Sequence, residues 1–113
     1  MRYVLPLFAV LLLASCGSGN GEADYSGKWE TGFGFVELVQ KGDSLIGDFT
    51  GGNTGKFLGV IRNDTVYFTI KDASFTSEEL EGYAEIRSHK VMKGQYRPKG
   101  MKVWEGKFWM MKK

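Results

Sequence analysis

The 113-residue chain has one cysteine, Cys16, one histidine, His89, and two prolines. A single cysteine excludes a disulfide within the chain. With one of each, neither Cys–His catalysis nor a zinc site built on several Cys or His ligands is expected, so no metal and no cofactor is assigned. Charge of one sign is also lacking: 15 Lys and Arg stand against 13 Asp and Glu. No cluster of five or more basic residues stands out, which argues against nucleic acid as a partner. The only long apolar run, Tyr3 to Leu13, is broken by Pro6 and is shorter than the roughly 20 residues a spanning helix needs.

What the chain does have is glycine, 16 residues, and aromatics at 14 per cent, a balance that favours a packed β domain over disorder. From Tyr25 onward apolar residues mostly alternate with polar ones. Val66, Phe68 and Ile70 take one face, and Tyr67, Thr69 and Lys71 the other. Turn signals follow at short intervals: Lys41-Gly42-Asp43, Arg62-Asn63-Asp64, Ser88-His89-Lys90 and Arg97-Pro98-Lys99-Gly100. The pattern predicts eight strands at 26–32, 34–41, 44–51, 56–62, 65–71, 79–88, 91–97 and 102–111. The connection 72–78 is the longest and has room for a helical turn capped by Thr76 or Ser77.

One phrase recurs five times: SLIGDF, KFLGVI, ELEGYA, VMKGQY and VWEGKF. Its glycines, Gly47, Gly59, Gly82, Gly94 and Gly106, are spaced by 12, 23, 12 and 12 residues, one strand plus one turn or twice that. Glycine weakens a strand interior, so its recurrence needs a reason. Inward-facing glycines at one level let strands bend and make room for large neighbours, as a small closed barrel requires. The fold expected is therefore all-β, an antiparallel up-and-down meander barrel of about eight strands. An open sheet or two-sheet sandwich with glycines at bulges is the alternative.

Arg2 followed by a short apolar run reads as a secretory signal. Leu13-Ala14-Ser15-Cys16 resembles the lipobox of bacterial lipoproteins. The resemblance implies cleavage before Cys16 and acyl chains of palmitate type on that residue, making residues 1–15 a signal peptide and the membrane a partner through the anchor. Residues 16–24 are Gly-rich and polar and read as a flexible tether, holding the domain 25–113 roughly 15–17 Å from the bilayer. By analogy with lipoprotein sorting, Gly17 in place of Asp implies the outer membrane of the cell envelope. Glu22 and Asp24 faintly resemble an acidic surface-export tether, and the leaflet stays open.

Gly27-Lys28-Trp29 resembles the Gly-x-Trp opening of calycin barrels, the lipocalins and avidins. The likeness to avidins runs through residues 27–49 and returns at Met92–Tyr96. It implies a calycin-like barrel. Two positions depart from the avidin pattern. Phe35 follows Gly34 where avidins place a Ser, and Met92 stands where they place a Trp. Biotin binding is accordingly not implied.

Trp29 and Trp104 share faces with Gly27 and Gly106, so both are expected inside, where they pack the barrel or, with Tyr96 and Phe49, line a pocket for a small apolar ligand. Trp109 falls on the outer face with Met111, and Tyr67 and Tyr83 are further outward aromatics. Those four could form a patch for an envelope protein. Glu78, Glu79, Glu81 and Glu85 read as a solvated strand face rather than catalytic acids, and His89 as a solvated turn residue. The function expected is a non-enzymatic, lipid-anchored binding domain for a small apolar ligand or an envelope partner. Its rivals are a protein-interaction or inhibitor module with a filled barrel and an exposed aromatic patch and, less favoured, a carboxylate-based hydrolase.

Overall fold

Alternation decides which side chains the sheet buries. Val66, Phe68 and Ile70 are almost wholly inaccessible, whereas Tyr67 and Lys71 between and beside them are exposed. The same rule holds along eight strands in a computed structural model that describes residues 24–113. The signal segment, Cys16 and the tether before Asp24 lie outside the described residues. The strands are β1 (Gly27–Thr31), β2 (Gly34–Lys41), β3 (Ser44–Thr50), β4 (Lys56–Arg62), β5 (Thr65–Lys71), β6 (Leu80–Ser88), β7 (Val91–Pro98) and β8 (Gly106–Lys112). Each pairs antiparallel with the next. β8 returns to β1 through Trp29↔Lys112, Glu30↔Met111 and Thr31↔Met110, closing the barrel. Closure leaves no exposed edge for another strand to add to, and it excludes the sandwich.

The five repeated glycines all point inward, between Leu45, Phe49, Phe57, Ala84, Met92 and Phe108. They occupy three neighbouring hydrogen-bonded rows rather than the single ring that their spacing suggests. Leu45, Gly59, Phe68, Gly82, Tyr96 and Gly106 lie directly opposite one another in turn, so large and absent side chains alternate across six strands. Gly47 sits one row to one side, opposite Phe57, and Gly94 one row to the other, opposite Phe108. The strands pass so close at these points that an added methyl group would overlap its surroundings. At Gly94 it would meet the Tyr83 carbonyl, and at Gly106 the Tyr96 ring at 2.9 Å. Space for the rings of Phe57, Phe68, Tyr96 and Phe108 is space that the glycines vacate.

Both ends are stoppered. At the end where β1 begins, Trp29 is fully buried and its Nε1 donates to the Tyr25 carbonyl at 2.8 Å. The Tyr25 N–H donates to Gln40 Oε1, and the Gln40 N–H donates to Ser26 Oγ, both at 2.8 Å. Asp24 accepts from the Ser26 N–H at 2.9 Å, a bond that holds its carboxyl below the usual range.

At the other end the connection 72–79 folds over the opening. It holds no helical turn. Its Ser74 exchanges two hydrogen bonds with Thr54, each 2.9 Å, and Asn53 Nδ2 donates to the Phe33 carbonyl. Phe75 then stacks on Phe33 with centroids 4.8 Å apart and meets Phe49 edge-on at 5.4 Å. From there ring contacts run inward, Phe33 to Tyr96 and Phe108, Phe108 to Phe68, and Phe68 to Phe57. Phe75→Ala is expected to lower stability by about 2 kcal/mol, seen as a lower denaturant midpoint at similar slope. An unchanged midpoint would mean that the loop merely lies on the barrel.

Candidate functional site

Trp29, Phe49 and Tyr96 are where their faces predict. Trp29 and Phe49 are buried within the barrel, and Tyr96 points inward, its ring edge-on to Phe33 at 5.0 Å. Trp104 is not with them, and its expected inward position is corrected. β8 begins at Gly106, not at 102, because the β7–β8 ladder ends at Tyr96↔Gly106. Residues 99–105 form a connection instead, with the Met101 N–H donating to the Pro98 carbonyl at 3.1 Å and the Glu105 N–H to the Tyr96 carbonyl at 2.9 Å. Freed from strand alternation, Trp104 lies on the outer wall. The interior thus holds three of the four proposed ligand residues: Tyr96 and Phe49 are joined through Phe33 and Phe75, while the ring of Trp29 meets Tyr25 at the other end.

Outside, Trp104 is held on two sides. The Arg97 guanidinium lies 4.3 Å from the centre of its ring, and Tyr83 meets it edge-on at 5.2 Å. Each of those neighbours is fixed in turn. Arg97 Nε donates to Glu81 Oε2 at 2.9 Å across directly opposed positions of β6 and β7, and Tyr83 Oη donates to Gln95 Oε1 at 2.8 Å. The Arg97–Glu81 pair is partly shielded, which makes it better defined than the exposed pairs elsewhere on the wall. The result is an aromatic side chain presented in one orientation while still 37% exposed.

From Trp104 an apolar band continues over the outer face of β6, β5, β4, β3 and β2. Two adjacent rows make it: Val39, Ile46, Leu58 and Thr69, then Val60, Tyr67 and Tyr83. Ile46, Leu58, Val60 and Tyr67 all remain exposed, Tyr67 by 53%. With Trp104 they line an open groove of about 730 Å³. Flanking rows carry charge: Glu37, Asp48, Lys56 and Lys71 on one side, Arg62, Glu85 and Lys93 on the other. Apolar residues framed by charged ones are the anatomy of a protein contact surface.

The four residues expected to form the outer patch divide. Tyr67 and Tyr83 lie directly opposite one another on β5 and β6, inside this band. Trp109 faces outward on β8, opposite Lys93, with β7 between it and Tyr83. It rests against Gly32 in the β1–β2 turn and is half-buried, while Met111 lies farther along the same strand. Alternation finds Ile46, Leu58 and Val60 as outward apolar residues, and their clustering could have been read from it. Arg97 as the support of Trp104 had no such signal.

Of the acidic stretch, Glu79 pairs with Lys99 at 3.1 Å, Glu81 with Arg97, and Glu85 with Arg87 at 3.1 Å. Among the described residues no group of three or more His, Cys, Asp or Glu side chains gathers as metal ligands would. Comparison with protein-family models, with curated proteins and with solved structures finds no match.

Proposed function

We propose that this chain is a lipid-anchored, calycin-like binding module of the outer membrane that engages an envelope protein with the aromatic end of its outer wall, not a small ligand with its interior. The observation that carries this reading is the placement of the rings. Those inside are in contact with one another, while Trp104 is outside and fixed between Arg97 and Tyr83. A fixed, half-exposed Trp beside an Arg is the kind of anchor on which interface energy concentrates. Three acids of the 78–85 stretch, Glu79, Glu81 and Glu85, are each matched to a cation, which supports a non-enzymatic role. The Cys16 anchor would hold the barrel near the membrane and raise the effective concentration of partners there.

The test places a photo-crosslinking side chain at Trp104 in cells, with Lys93 as the comparison position. A discrete protein adduct specific to position 104 is expected. Trp104→Ala should weaken binding of the captured partner by about 2 kcal/mol. No adduct above the Lys93 level, together with a small apolar molecule retained by the purified chain in native mass spectrometry, would overturn the reading.

A further inference from the structure

The other end of the apolar band, on β2 to β5, carries a charge arrangement in which like charges lie side by side. In one row across these strands, Glu37 lies directly opposite Asp48, Asp48 opposite Lys56, and Lys56 opposite Lys71. All four side chains are exposed. From β2 to β5 the order of charge is therefore two negatives followed by two positives, with Lys28 of β1 opposite Glu37 at the end of the row. Within the four only the middle neighbours attract, and they form an ion pair of 3.2 Å. The outer two neighbour pairs place like charges side by side on adjacent strands, an arrangement that destabilises a sheet.

We propose that this strip is the interface of a homodimer, with a two-fold axis parallel to the strands between β3 and β4. Such an axis lies in the contact plane and sets each strand against its mirror position in the other copy, β2 against β5 and β3 against β4. Glu37 then faces Lys71 of the second copy, and Asp48 faces its Lys56, so all four charges meet opposite charges. The next row matches as well: Ile46 meets Leu58 and Val39 meets Thr69. In the row beyond, Ser44 meets Val60, and Lys41 comes over the exposed Tyr67 ring, a favourable cation–π position.

An axis running across the strands along the charge row would instead set each charge against its own sign. The dimer contact lies on β2 to β5 and shares Ile46, Leu58, Val60 and Tyr67 with the groove that Trp104 walls, while Trp104, Arg97 and Tyr83, the anchor of the partner site proposed above, stand at its far side.

The experiment uses the full-length chain carrying Cys16→Ser, which leaves no cysteine. Leu58→Cys in this background places two thiols near the axis, about 10 Å apart and within the span of a short bis-maleimide. Cross-linking is expected to give a covalent dimer, while Lys93→Cys, placed away from the strip, stays monomeric. Sedimentation should show a dimer that Asp48→Lys weakens by about tenfold or more. The swap Asp48→Lys with Lys56→Asp restores the complementary order and should return association to within about threefold of the starting chain. Trp104→Ala should leave the dimer unchanged. A monomer at the highest concentration reached, no Leu58→Cys dimer above the Lys93→Cys background, or a dimer indifferent to Asp48→Lys would each overturn the proposal.

Discussion

Gly94→Val is expected to destabilise the barrel by about 3 kcal/mol, the upper range for overpacking a filled core. Gly94 faces inward between Ala84 and Phe108 on the neighbouring strands. A Cβ at this position would collide with the Tyr83 carbonyl and lie 2.9 Å from Ala84 Cα. Both obstacles are backbone, so no side-chain rotation relieves them, and relief would require β6 and β7 to separate. Gly59 makes the informative contrast. There the obstacles are Val66 Cγ1 at 2.9 Å and Phe57 Cε1 at 3.0 Å, side-chain atoms that can shift. Gly59→Ala should therefore cost less than Gly94→Ala. Gly32→Ala, which would meet only Trp109 Nε1 at 3.5 Å, should be close to neutral. Urea unfolding followed by Trp fluorescence measures all of these. If Gly94→Val kept the midpoint and slope of the parent, the interior around it would not be crowded.

Cys16→Ser is expected to move nearly all of the protein from membranes to soluble fractions. The reasoning is the reading of Leu13-Ala14-Ser15-Cys16 as an acylation signal, combined with the energetics of anchoring. One acyl chain gives marginal, reversible binding and two or more give stable attachment, at about 0.8 kcal/mol per buried CH₂. Removing the thiol removes the site of attachment. The C-terminal lysines cannot substitute, because basic side chains near an anionic surface contribute only about 1 kcal/mol each. Lys112 and Lys113 are moreover engaged with Asp24 and Glu30 at the barrel seam. Fractionation followed by a salt wash reads the result. A Cys16→Ser chain that stayed in the membrane through that wash would contradict the anchor.

Strand positions were legible because two independent signals coincided: alternation along each strand and turn residues between them. Where only one was present, the boundary slipped. Met101, Val103 and Glu105 alternate with Lys102, Trp104 and Gly106 much as a strand would, yet Gly100 adopts a φ of +91° and the chain turns away from the ladder. That early break put Trp104 on the wall. Phe75 was missed for the opposite reason. It sits in a segment with no period at all, and only the hydrogen bonds between Ser74 and Thr54 carry it over the barrel mouth. Of the residues now placed at the outer surface, Tyr67 and Tyr83 were visible as outward aromatics. Their direct opposition depends on the register of β5 against β6, two strands joined by the long 72–79 connection rather than by a tight turn.

Residue order by itself determined the strand count, the inward face of each strand and the antiparallel meander. These are local properties, in which each residue needs only its near neighbours in the chain. Closure, the filling of the interior and the partners of Trp104 were decided by tertiary structure alone. Each depends on which atoms from distant parts of the chain reach the same place, and period-two alternation is identical whether a sheet stays flat, folds in two or rolls shut. The charge row on β2 to β5 belongs to the same class, since its four members are scattered between residues 37 and 71 and become one line only when the strands pair.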